Sequence, residues 1–205
     1  MKCPMQVFNN LHDSVVGKVA SKVPDLLSSY GRLYHNVWHI SQMYDIHCQL
    51  IVTDWQDISA IDDNNIKSAI YYHDAIYDTS SKDLFDLNEK LSNELFKSEL
   101  PGANTKISNL ILATKGHFID RPYDELTEWF IGLDLAALAA PWEMFKLNNS
   151  LIRYEFHTVT DEEWNKNRHW FLKHALQQDK IYRHPVMHKY FEADTRANIA
   201  RILGK

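Results

Sequence analysis

Apolar residues recur at spacings of three and four along almost the whole chain, and that periodicity restricts it to packed amphipathic helices. Gly and Pro fall between the periodic segments rather than inside them, and no segment shows the alternating β-branched pattern of a sheet. The chain therefore reads as all-α. Val7 to about Ser29 is amphipathic with an expected break at Val23-Pro24, because the proline ring disfavours helix in the residue before it. Asn36 is a good N-cap for the next helix and places His39 in its first turn. A helix starting near Asp62 to Asn65 is expected to carry Ile66, Ala69, Ile70, His73 and Tyr77 on one run. Further helices are expected over Leu84 to Leu100, Thr105 to Lys115, Pro122 to Leu138, Trp142 to Thr158, Asp161 to Gln178 and Met187 to Leu203. With 205 residues, 45% of them hydrophobic, one core is affordable, and without repeats or a long linker a single domain over 1–205 is expected.

Charge and cysteine usage exclude several classes. The 22 basic and 27 acidic residues give a net charge of −5, the wrong sign for a protein of nucleic-acid duplexes or anionic membranes. Cys3 and Cys48 make neither a disulfide framework nor a metal knuckle. The first ten residues lack an apolar signal core, and the apolar run Ile131 to Ala140 contains Asp134 and is too short to span a bilayer. A cytoplasmic protein is expected, with self-association left open.

The 11 histidines and 6 tryptophans are more than packing usually asks for. HExxH, GxxxxGK[ST], GxSxG and GxGxxG are absent, and no Glu-x-x-His pair occurs to build a ferritin-like di-iron site. The remaining signal is His39, then His73-Asp74, then Asp134. Neighbours on a helix point about 100° apart, so His73 and Asp74 share an ion only where their helix runs tangentially past it. His39 and Asp134 could then close the shell, and two imidazoles with two carboxylates suit Mn, Fe, Co, Ni, Zn or, less well, Mg. His12-Asp13 repeats the dipeptide without an upstream histidine and reads as polar surface. The bland alternatives are that His39 is a satisfied core histidine and that Asp134 caps the segment after it. Asp74 resists such a reading, because it interrupts an apolar run and an unpaired buried carboxylate is costly.

The stretches Tyr34-His35-Asn36-Val37-Trp38-His39, Ala69-Ile70-Tyr71-Tyr72-His73-Asp74, Asn88-Glu89 and Gly132-Leu133-Asp134-Leu135 resemble the HD-domain metal-dependent phosphohydrolase superfamily, in particular its small stand-alone members. The likeness runs on through Ala113 to His117, Ile152 to Glu155, Arg168 and Ala193 to Asn198, and so covers the chain from about Tyr30 to Leu203. It implies a helical bundle of HD type, with a motif core over about 30–140 and C-terminal helices over 142–203 packed on it. It also implies His39, His73, Asp74 and Asp134 as ligands of one divalent metal ion. Two-metal members carry additional histidines between the HD pair and the last aspartate, whereas this interval holds only His117. One ion is expected, with His117 touching substrate or the attacking water, or else answering a helix dipole beside Gly116.

A phosphate ester needs local cations on an acidic protein. Arg32 and His35, close before His39, are the first candidates, with Lys115 and Arg153 behind them and Arg168 and Arg196 on later helices. Structural ion pairs compete for each, Arg153 with Glu155 above all. Tyr34, Tyr72 and Tyr77 could line a pocket for a base or sugar. The expected activity is hydrolysis of a nucleotide or other small phosphate ester, with Asp74 also orienting the nucleophile and Glu89 or Asp78 as general base. The alternative is a metal or nucleotide sensor that binds without turnover. A purely structural bundle with surface histidines, including His184 and His188, is the third reading.

Overall fold

Short polar residues start the helices of this chain. The side chains of Asn36, Ser59, Asn104, Asp124 and Thr160 each accept a hydrogen bond from a backbone N–H of the first turn that follows. The computed structural model describes residues 3–17, 19–118 and 123–204. Among these it has eleven α-helices and no strand. They are α1 (Pro4–Val15), α2 (Val23–Leu27), α3 (Val37–Thr53), α4 (Ala60–Tyr72), α5 (Lys82–Phe85), α6 (Asn88–Glu99) and α7 (Thr105–Ala113), then α8 (Glu125–Leu135), α9 (Trp142–Glu155), α10 (Asp161–Gln177) and α11 (Pro185–Ile202). Two 3-10 turns extend α7 and α8, Thr114–Gly116 and Ala136–Ala139. No helix among the described residues is long and apolar enough to cross a membrane.

Several boundaries differ from the periodic reading for identifiable reasons. The first amphipathic segment ends at Gly17, whose φ of 57° follows the α1 C-cap, and Pro24 sits in the first turn of α2, where its missing N–H costs nothing. The segment expected over Leu84 to Leu100 is two helices, α5 capped by Ser81 and α6 beginning at Asn88. α4 begins at Ala60, earlier than expected, and stops at Tyr72. Pro122, the expected start of the next helix, lies outside the described residues. Gly132 stands inside α8 and not between helices: a Cβ there would come within 2.5 Å of Met187 Cγ, so the glycine lets α11 approach.

The chain forms two compact units, Met1–Lys115 and Gly116–Lys205, where one domain is expected from the sequence. In the first, α1 packs on α3 and α4, and α7 packs on α4 and α6. Phe8, Leu11, Ile40, Ile66, Ile70 and Phe96 fill its core. His12 is not open surface, because its Nδ1 lies 2.6 Å from the Tyr71 hydroxyl. Tyr71 stacks on Phe8, while the Tyr72 hydroxyl donates to Glu99 Oε2 at 2.9 Å. Burial pushes the Tyr71 phenol up to about 12, so both hydroxyls keep their protons and pin the last turn of α4.

In the second unit α11 packs on α8 and on the 3-10 turn after it. Asn198 Nδ2 donates to the carbonyls of Leu138 and Ala140 at 2.9 and 2.8 Å, and the Tyr182 hydroxyl donates to Leu135 O at 2.8 Å. Glu192 accepts from the backbone of Ile181 and Tyr182 and from Arg196, whose remaining donors reach the carbonyls of Leu176, Gln178 and Asp179. Arg196 and Asn198 of the motif stretch thus serve the fold. His184, which the purely structural reading would put on the surface, is 3% exposed and caps α11 beneath Trp129.

Two buried histidines set an acid limit. Burial lowers the pKa of His47 despite its hydrogen bond to Asp63 at 2.8 Å, and burial lowers that of His184 despite nearby Glu125. A folded-state pKa below the ordinary 6.5 means that the unfolded chain takes up these protons first, so stability is full above pH 6.5 and falls as pH drops below it. Glu128, raised by burial, acts in the opposite sense as one group against two. The melting temperature is expected to fall between pH 7.5 and pH 5, and less steeply in His47→Gln. Equal melting temperatures across that range would contradict this.

Candidate metal centre

Two helix ends bring the centre together within the first unit. Asn36 Oδ1 accepts from Trp38 N at 2.8 Å and its amide donates to the carbonyls of Arg32 and Leu33, both at 3.0 Å. This cap places His39 in the first turn of α3, as the sequence leads one to expect, with 2% exposure. At the other end, His73 is the C-cap of α4 and Asp74 lies in the turn beyond it. The expected continuous helix through Tyr77 is therefore corrected. His73 keeps helical dihedrals, φ −57° and ψ −39°, and its Nε2 nevertheless comes to 3.1 Å from Asp74 Oδ2, as a helix end running past a shared point allows.

His39, His73 and Asp74 each offer a donor atom, all within 4.8 Å of one another. His39 Nε2 is 3.6 Å and His73 Nε2 3.1 Å from the same oxygen, Asp74 Oδ2. Donors bonded to one ion at about 2.1 Å stand roughly 3.0–3.5 Å apart in octahedral or tetrahedral arrangements, so the spacing fits a shared first-row ion. His73 Nδ1 faces the Ile70 carbonyl at 3.1 Å and, since a carbonyl only accepts, carries a ring proton. Its Nε2, on the other side of the ring, is left facing the Asp74 carboxylate at 3.1 Å. An N–H to carbonyl bond behind the metal-facing nitrogen is also the usual way a ligand histidine is oriented. Burial alone would raise the Asp74 pKa, yet the facing imidazoles of His73, His35 and His39 outweigh it and hold the carboxyl well below its ordinary range. The carboxylate is thus ionised and ready to bind.

Aromatic rings wall the cluster. His35 stacks on Tyr77 with centroids 3.9 Å apart and meets His39 edge-on, and Tyr34 lies 5.1 Å from His39. Tyr72, expected as a pocket residue, is fully buried and bound to Glu99. The loop after Asp74 is held from α6: Asn88 accepts from Asp78 N at 2.8 Å and donates to Asp78 O at 3.1 Å, and Ser92 Oγ accepts from Ile76 N at 3.0 Å. Glu89 stands beside Asn88 in the first turn of α6. Asp78 accepts from Ser80 N in a local turn, and the Ser80 hydrogen bonds keep its pKa low.

The expected cations occupy diverse places. Arg32 donates through Nε to His35 O, through Nη2 to Asp74 O and through Nη1 to Ala75 O. Lys115 Nζ donates to Asp86 O. Arg153 joins α9 to α10, donating to Asp161 Oδ1 and to the carbonyls of Phe156 and Val159, so its ionic partner is Asp161 and not Glu155. Arg168 donates to Asn149 at 2.7 Å. In the second unit, Asp134 on α8 accepts from His117 Nε2 at 2.7 Å, a pairing that sequence order does not reveal.

Compared with family models, curated proteins and solved structures, the chain matches none.

Proposed function

We propose that His39, His73 and Asp74 hold one divalent ion and that the protein is a metal-dependent phosphohydrolase of HD type, acting on a nucleotide or another small phosphate ester. The observation that supports this best is the convergence of His39 Nε2 and His73 Nε2 on Asp74 Oδ2, at 3.6 and 3.1 Å, with one donor atom from each of the three residues within 4.8 Å of the others. The ordered motif of His39, the HD pair and Asp134 adds the chemistry by resemblance. Such an ion supplies a Lewis acid that makes water acidic enough to ionise near neutrality and withdraws charge from a phosphoryl oxygen. Three protein donors leave room for water and substrate, as catalytic sites need.

The chain's own residues then have separate tasks. Asp74 binds and orients. His35, fixed by its stack on Tyr77, offers a ring N–H to a phosphoryl oxygen. Glu89 takes the proton of the attacking water, a role that rests on the resemblance and on its nearness in sequence to the HD pair, and Lys115 supplies the positive charge that a phosphate ester needs.

Phosphate release from nucleotides and small phosphate esters, scanned over Mn, Co, Mg, Ni and Zn, is the test. Turnover that needs the metal and is lost in His39→Ala is expected. Silence across the panel with metal-loaded protein would contradict the hydrolase and leave a sensor.

A further inference from the structure

The Arg32 guanidinium sits between the two segments that supply the ligands. Its Nε donates to His35 O, just before the cap of α3, while Nη1 and Nη2 donate to Ala75 O and Asp74 O, just past the end of α4. Arg32 is itself anchored, because its own carbonyl accepts from Asn36 Nδ2 at 3.0 Å. The flat face of the guanidinium lies over Tyr77, 5.5 Å from the ring centroid, and Tyr77 in turn carries His35. One planar group thus joins segments 42 residues apart in the chain. The carbonyls of Asp74 and Ala75 lie past the C-cap of α4, beyond the helical ladder, and the guanidinium satisfies them.

We propose that Arg32 is a positioning residue for the metal centre. It clamps the start of α3 to the end of α4 so that His39, His73 and Asp74 converge, and it acts through the backbone without touching the ion. This rests on the reading that those three residues bind a metal. It replaces the role expected for Arg32 from sequence, a direct contact to substrate phosphate. Arginine is required for its shape: a rigid fork of five N–H donors can reach three carbonyls at once, whereas a lysine ammonium is a single point.

The test is cobalt binding by chelator competition, together with the visible absorption of the cobalt protein, for the wild type, Arg32→Lys and Arg32→Ala. Far-UV circular dichroism monitors folding. Loss of a group that orients metal ligands typically costs about 10–100-fold in metal affinity. That loss is expected in both variants, with an altered cobalt spectrum at saturation. Because Arg32→Lys keeps the charge, wild-type affinity and spectrum in that variant would overturn the clamp, even if Arg32→Ala failed to fold. A rise in KM for a phosphate ester with unchanged cobalt affinity would restore the substrate role and also overturn it. No stoichiometric cobalt in the wild type would overturn the metal reading itself, and the clamp with it.

Discussion

Asp74→Ala is expected to abolish metal-dependent turnover and to weaken binding of a divalent ion by at least about 100-fold, the upper end of what loss of an orienting partner alone costs. His39 and His73 both face Asp74 Oδ2, so its removal dismantles the donor set and not merely one edge of it. The fold should survive. Asp74 follows the last turn of α4, and that turn is held independently by Tyr71 against Phe8 and by Tyr72 on Glu99. Metal titration and thermal melting of the same preparation check both halves. Undiminished activity in a folded Asp74→Ala protein would remove the centre from the chemistry.

The largest stability effect is expected at Trp129. It has no exposed surface, and its ring meets the buried His184 ring edge-on with centroids 5.0 Å apart. Truncating a fully buried tryptophan costs about 3–5 kcal/mol, through lost transfer energy and the cavity left behind. For a chain of this size each kcal/mol shifts the melting temperature by roughly 2–4 °C, so Trp129→Ala should lower it by about 10 °C. His184 caps α11, so the damage should extend from α8 into that helix. Trp129→Phe should recover part of the loss. Melting within about 2 °C of the wild type, well below the shift a buried tryptophan should give, would mean the ring is not packed as described.

The parts legible in the sequence are those fixed by local chemistry. Asn36 as a cap, His39 in the first turn of its helix, and α7, α9, α10 and α11 follow from short-range signals and periodicity. His39, His73 and Asp74 stood out as part of an ordered set, and Asp74 in addition as a carboxylate too costly to bury without a partner. What stayed hidden depends on contacts distant in the chain. No periodicity shows that α4 stops at Tyr72, because the apolar pattern runs on while Arg32, from far upstream, takes the carbonyls of Asp74 and Ala75. Arg32 looked like a phosphate ligand for the same reason: a charge in a sequence does not reveal what its donors face. His12 reads as polar surface, yet its ring meets the Tyr71 hydroxyl, and nothing in the sequence puts His184 under Trp129. The partnership of His117 with Asp134 follows only from the fold.

The most direct test of the centre is the number of cobalt ions retained per chain after equilibrium dialysis of metal-stripped protein, compared with the His39→Ala/His73→Ala double variant. One ion per wild-type chain and none in the variant is expected. Equal retention by the two proteins, or no stoichiometric retention by the wild type, would contradict the assignment of His39, His73 and Asp74 as a metal centre.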